Sequence, residues 1–203
     1  MSSIPDNSQR SADEPLVIDE DPLPSQRDAD NLAEMQVDVV VDPETICPTS
    51  IREVAEACRA AARLRGFRRG EIAIRLTDDP GIHAINRRHL QHDFPTDVIS
   101  FAYDSDLGHL HGDLVVSVDT AGRLAARVGW PMAAELLLYV VHGTLHLTGM
   151  DDHDEAERRA MRAAERQVFQ QIGIADLERF GADRFDDQAS VHSEAHDSEE
   201  TGP

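Results

Sequence analysis

The sequence predicts one α+β domain, α/β-like in its element order, with a small mixed sheet of four strands packed against about five helices. Three observations point there. Segments with period-two alternation mark strands, apolar residues at helical spacing between capping residues mark helices, and the elements follow the order β-α-β-α-β-β-α-α-α. There are no internal repeats.

Val37-Asp38-Val39-Val40-Val41 is a first strand, ended by Asp42-Pro43. Thr49 or Ser50 caps the next helix, with Glu53 placed for a capping box. Its apolar positions, Ile51, Val54, Ala55, Cys58, Ala61, Ala62 and Leu64, repeat with helical spacing until Gly66 ends it. Glu71-Ile72-Ala73-Ile74-Arg75-Leu76 alternates as a strand with one buried face. Thr77, Asp78 and Asp79 can cap a short helix with Pro80 in its first turn, running through Ile82, Ile85 and Asn86.

Phe94-Pro95-Thr96-Asp97-Val98-Ile99-Ser100-Phe101 reads as a turn feeding a short strand. A loop containing His109 and His111 leads to the strand Gly112-Asp113-Leu114-Val115-Val116-Ser117-Val118. Asp119 is positioned to cap a helix through Ala121, Leu124 and Val128, ended by Gly129 with Pro131 beyond. The largely apolar run from Met132 to Val141 is a buried helix, and a charged amphipathic helix from about Glu155 to Ile172 completes the core.

The buried helix continues into His142-Gly143-Thr144-Leu145-His146, and this is where chemistry enters. Imidazoles four residues apart lie one turn above each other on one helix face. Gly149 can stop the helix, and a later histidine can swing back toward the pair. Three neutral imidazoles suit a zinc ion and leave its fourth position to water, whose pKa can fall to roughly 7. His192 and His196 repeat the spacing in an acidic segment with no apolar face to hold a helix, so spacing alone is weak. The helix is zincin-like in its paired histidines. Zinc proteases, however, carry a glutamate after the first ligand, and here that residue is Gly143. Peptide hydrolysis by that route is disfavoured, a phosphodiester substrate remains open, and the glycine suggests close approach of substrate or backbone to the metal.

Charge divides the chain. Residues 1–34 hold nine acids and two arginines, residues 181–203 hold seven acids and one arginine, and both read as disordered acidic tails around a core of residues 35–180. Within the core, residues 52–88 carry nine arginines against five acids, the footprint of a polyanion partner or of a solvated helix face. Cys47 and Cys58 form no Cys-x-x-Cys pair and no disulfide framework. With no apolar leader and no membrane-length apolar run, a cytoplasmic location without membrane association is expected.

Three ordered motifs together resemble the YbeY family of metal-dependent endoribonucleases, which act in ribosomal RNA maturation. They are His142-Gly143-Thr144-Leu145-His146 through Gly149, Pro95-Thr96-Asp97-Val98-Ile99-Ser100-Phe101, and Gly112-Asp113-Leu114-Val115-Val116-Ser117, with Ile85-Asn86 matching the family's upstream Leu-Asn. The resemblance spans roughly residues 37–175. It implies one zinc ion held by His142, His146 and His153, with a bound water as hydrolytic nucleophile and no further catalytic side chain specified. It also implies ribosomal RNA and the small ribosomal subunit as partners, beside ribosomal or assembly-factor proteins, and the 3′ end of small-subunit RNA as target.

Two departures from the family pattern stand out. The family's third histidine lies ten residues after the first, whereas here Asp152 holds that place and His153 follows it. His153 is the expected ligand, because a third imidazole suits zinc and a bulge after Gly149 can deliver it; Asp152, itself a competent ligand, is the alternative. An arginine that many members place four residues after the Leu-Asn asparagine is Leu90 here, and Arg87 and Arg88 are the candidates to contact RNA in its stead. Two other readings are a zinc-stabilised ribosome-assembly factor that does not cut RNA, and a small-molecule metallohydrolase with an enclosed apolar pocket.

Overall fold

The computed structural model describes residues 34–174 except Leu90, His92 and Leu107. The expected acidic tails, residues 1–34 and 181–203, lie outside the described residues apart from Glu34. Among the described residues the element order is β1 (Gln36–Val41), α1 (Ile51–Leu64), β2 (Arg69–Thr77), α2 (Asp79–His89), β3 (Val98–Asp106), β4 (His109–Ser117), α3 (Val118–Val128), α4 (Met132–Leu147) and α5 (Glu155–Gln171). The four strands form one mixed sheet in the order β1-β2-β4-β3, parallel except for the antiparallel β3–β4 pair. The α+β class and the mixed sheet are as the sequence predicts.

Period-two alternation sorts the sheet into two faces. Val37, Ile72, Ile74, Leu76, Leu110, Leu114 and Val116 join the main core with α1, α4 and α5. Ile99 and Val115 point to the opposite face and bury Ile82 of α2 in a smaller cluster with Ile85 and Phe101. α4 lies against β3 and β4 and is packed by α1, α3 and α5. Twelve of its sixteen residues are buried, as expected for a helix apolar around most of its circumference. In its C-terminal half only His142 and His146 escape full burial.

Local chemistry sets the element ends. Ser50 and Glu53 form the expected capping box on α1. Asp78 accepts a hydrogen bond from the Gly81 N–H (2.8 Å) and so starts α2. Two expectations are corrected. Helix α3 begins at Val118 under Ser117, whose hydroxyl accepts from the Thr120 N–H, so Asp119 is not its cap. That serine also donates to Asp79 (2.7 Å), tying α3 to α2. His109 and His111 lie in β4 and not in a loop, because β4 starts earlier by pairing with β2 from Arg69 onward. Cys47 and Cys58 are free thiols, and burial pushes the Cys58 thiol up to about 11, which leaves it protonated and inert.

Candidate metal centre

The spacing of His142 and His146 does what helix geometry dictates: their rings sit 4.5 Å apart, edge to face, with Nε2 atoms 3.0 Å from each other. Each ring is oriented from behind. His142 Nδ1 lies 2.8 Å from Glu165 Oε1 of α5, and His146 Nδ1 lies 3.0 Å from the Met150 carbonyl oxygen. A carbonyl and a carboxylate can only accept, so these partners assign the proton of each neutral ring to Nδ1. Both Nε2 lone pairs then face each other with no proton between them. Asp152 adds a carboxylate, its oxygens 3.7 Å from His142 Nε2 and 3.8 Å from His146 Nε2.

Three electron-rich groups converging on one point repel unless a cation sits among them. Nitrogens about 2.0–2.1 Å from a tetrahedral ion stand roughly 3.3 Å apart, close to the spacing here. The donor set therefore fits a metal ion. Its remaining side is open, since Asp152 is 37% and His146 27% exposed at the side chain.

Burial acts against a charged His142, but the Glu165 hydrogen bond and the charges of Glu165, Asp97 and Asp152 outweigh it and hold its pKa above the ordinary imidazole value. The same negative surroundings favour a cation. Asp97 belongs to the Pro-Thr-Asp segment, and its Oδ1 is fixed by the Val98 N–H (2.8 Å) and the Thr96 hydroxyl (2.9 Å).

The structure brings His142 and His146 together but does not bring His153 to them. Among the described residues, Asp152 completes the group within mutual reach of one ion. His153 is 85% exposed at the side chain and instead faces Asp151, 3.3 Å away. The reason is the turn. Gly149 adopts φ 85°, and the Gly149 and Met150 N–H groups close onto the His146 and Leu145 carbonyls. Beyond the turn Asp152 directs its carboxylate to the histidine pair, while the exposed His153 ring faces Asp151.

The close approach at Gly143 is likewise not to substrate. A Cβ there would lie 2.8 Å from Val98 Cγ2, 3.0 Å from Leu114 Cδ2 and 3.1 Å from Ser100 Oγ, so this side of α4 is pressed onto the sheet. Ser100 donates to the Gly143 carbonyl at 3.1 Å. No glutamate base fits at this position. Gly143→Ala is expected to destabilise the fold by about 1–2 kcal/mol, overpacking outweighing the gain in helix propensity, as the denaturant midpoint will show.

Arg87 and Arg88 are exposed at the end of α2, and among the described residues neither has an ion-pair partner. Of the other arginines in the basic segment, Arg63 pairs with Glu56, Arg75 with Asp42, and Arg59 donates to the Met35 carbonyl. Asn86, one residue before Arg87, is 1% exposed and donates from Nδ2 to the Phe94 carbonyl (2.8 Å), so it anchors the loop that leads into Asp97.

Glu165 is the residue that sequence reading missed. It is fully buried between Met161, Val168 and Phe169 on the inner face of α5. A carboxylate on an apolar stripe was the available signal.

A central helix that carries two facing histidines, joined by Asp152 from the turn beyond its end, pressed on a mixed sheet and braced by a buried carboxylate, defines a metal-site α+β protein. The family described as Endoribonuclease YbeY matches residues 34–173. A protein named Endoribonuclease YbeY from Rhodopirellula baltica is 42% identical over 177 residues, covering 78% of this chain and 91% of that one. Its namesake from Geobacter sulfurreducens is 41% identical over 126 residues, covering 59% and 82%. A solution structure of TM1509 from Thermotoga maritima shares the fold with a TM-score of 0.51 at 18% identity, covering 82% of this chain and 100% of that one. The chain belongs to the endoribonuclease YbeY family.

Proposed function

We propose that this chain is a zinc-dependent endoribonuclease that cuts single-stranded RNA at the 3′ end of small-subunit ribosomal RNA precursors, working in the cytoplasm alongside ribosomal or assembly-factor proteins. The observation that carries the reading is the pair of facing Nε2 lone pairs completed by Asp152, on a side open to substrate. Family membership directs that site to RNA. Two imidazoles and one carboxylate form a borderline donor set that suits zinc.

When bound, the ion supplies Lewis acidity toward the charge developing on a phosphoryl group. The chain's own residues do the rest. His142, His146 and Asp152 would hold the ion, Glu165 and the Met150 carbonyl fix the two rings, and Ser100 ties the metal helix to β3. Arg87 and Arg88, exposed and without ion-pair partners among the described residues, are candidates to take backbone phosphates.

The test is cleavage of a small-subunit precursor together with metal analysis. Wild type should carry one zinc per chain and cut, and His142→Ala should bind the RNA without cutting it. A zinc-loaded wild type that binds the precursor and leaves it intact would make the chain an assembly factor and overturn the nuclease reading.

A further inference from the structure

We propose that Arg158 is a positioning residue for the metal centre: it clamps the main chain of the ligand turn so that Asp152, and not His153, presents its side chain to the histidine pair. This rests on the reading of Asp152 as a metal ligand. One guanidinium nitrogen, Nη1, donates to the His153 carbonyl (2.7 Å) and to the Asp152 carbonyl (3.2 Å). Among the described residues Arg158 has no ion-pair partner. Its place calls for a reason. Arg158 stands near the start of α5, where the helix dipole disfavours a cation and where Glu155 and Glu157 follow the usual preference.

The rest of the turn is held as well. The Met150 carbonyl lies against His146 Nδ1 (3.0 Å), the Asp152 N–H donates to Asp151 Oδ1 (2.8 Å), and Asp154 closes a capping box with Glu157. The Asp152 main chain is thereby fixed on both sides, its N–H by Asp151 and its carbonyl by Arg158. An aspartate has only two side-chain torsions, so its carboxylate follows the backbone closely. Here it stands 3.7 Å and 3.8 Å from the two Nε2 atoms.

Helix spacing joins this clamp to the other side of the centre. Arg158 and Glu165 are seven residues apart, two turns along one stripe of α5, with the buried Met161 between them. Glu165 holds the His142 ring from behind while Arg158 holds the Asp152 main chain. One helix thus sets the placement of two of the three ligands relative to each other. Charge alone argues the other way. A guanidinium near a cation site weakens binding, so the clamp and the bare charge predict opposite signs when Arg158 is replaced.

The experiment measures the zinc affinity of the full chain by competition with a chelator. Arg158→Met keeps the stem and removes the donors and the charge. It should bind zinc roughly 10-fold more weakly, the low end for partners of a ligand, because it acts on the main chain. Arg159→Met is the control for charge: that arginine pairs with Glu155 (2.7 Å), and its loss should leave affinity within about 2-fold of wild type. Cobalt(II) in place of zinc should give a changed visible spectrum in Arg158→Met and a wild-type spectrum in Arg159→Met. Added to Asp152→Ala, Arg158→Met should cause no further loss, since the residue it positions is gone. Zinc affinity unchanged or tighter in Arg158→Met, a wild-type cobalt spectrum, or an equal further loss in the Asp152→Ala background overturns the clamp alone. If Asp152→Ala itself binds zinc as wild type does, the ligand reading falls and takes the clamp with it.

Discussion

Asp152→Ala is expected to strip the metal from the protein, while His153→Ala leaves it bound. Asp152 supplies the third ligand atom within reach of both His142 and His146, and removing it leaves two imidazoles that hold an ion too weakly to survive purification. Loss of even an outer partner of a ligand commonly weakens metal binding 10- to 100-fold, so loss of the ligand itself should exceed about 100-fold. His153 is exposed and turned toward Asp151, so its truncation should alter neither zinc content nor cleavage measurably. Metal analysis after dialysis, paired with precursor cleavage, reads both variants. Zinc retained by Asp152→Ala and lost from His153→Ala would show that the turn rearranges around the ion to the His153 arrangement.

Much of this fold is local and was therefore readable. The Ser50–Glu53 box, the period-two strands and the apolar run of α4 are written in neighbouring residues, and each element appears where its pattern stands. The histidine pair was readable for the same reason, since a four-residue spacing on a helix fixes both rings without tertiary knowledge. Choosing between Asp152 and His153 turned on a preference for imidazole over carboxylate, which is chemistry without geometry. In the folded chain it is Asp152, and not the exposed His153, that stands within reach of both His142 and His146. Gly143 misled because a helical glycine signals a close neighbour without naming it, and that neighbour is β3 and β4. Ser117 displaced Asp119 as cap because β4 ends one residue before α3 begins, leaving no room for a longer connection. Glu165 was hidden because its partner is 23 residues away on another helix.

Replacing Glu165 should weaken the metal site from behind, without touching any atom that would meet the ion. Its carboxylate is fully buried, accepts from His142 Nδ1 at 2.8 Å and lies 3.3 Å from Arg162. Glu165→Gln keeps an acceptor and the shape but removes the charge that makes the imidazole a stronger donor to a cation. Metal affinity measured well above the imidazole titration range should fall 10- to 100-fold. Proton competition supplies a second readout. A metal must displace the proton from His142, whose pKa stands above the ordinary value, so the apparent metal affinity of wild type should begin to weaken as pH falls below that raised pKa, with release at lower pH. In the metal-free protein the sign reverses: protonated His142 stabilises the fold at low pH, and that contribution is lost as pH rises through the raised pKa. Without the Glu165 charge two of the groups that raise the pKa, Asp97 and Asp152, remain, while burial still opposes the charged ring. The His142 titration of metal-free Glu165→Gln, followed by NMR, should therefore move down. Glu165→Leu also removes the acceptor, leaving the Nδ1–H and Arg162 facing an apolar side chain, and should cost about 3–5 kcal/mol of stability. An unchanged His142 titration together with wild-type metal affinity in Glu165→Gln would show that the carboxylate only fills space.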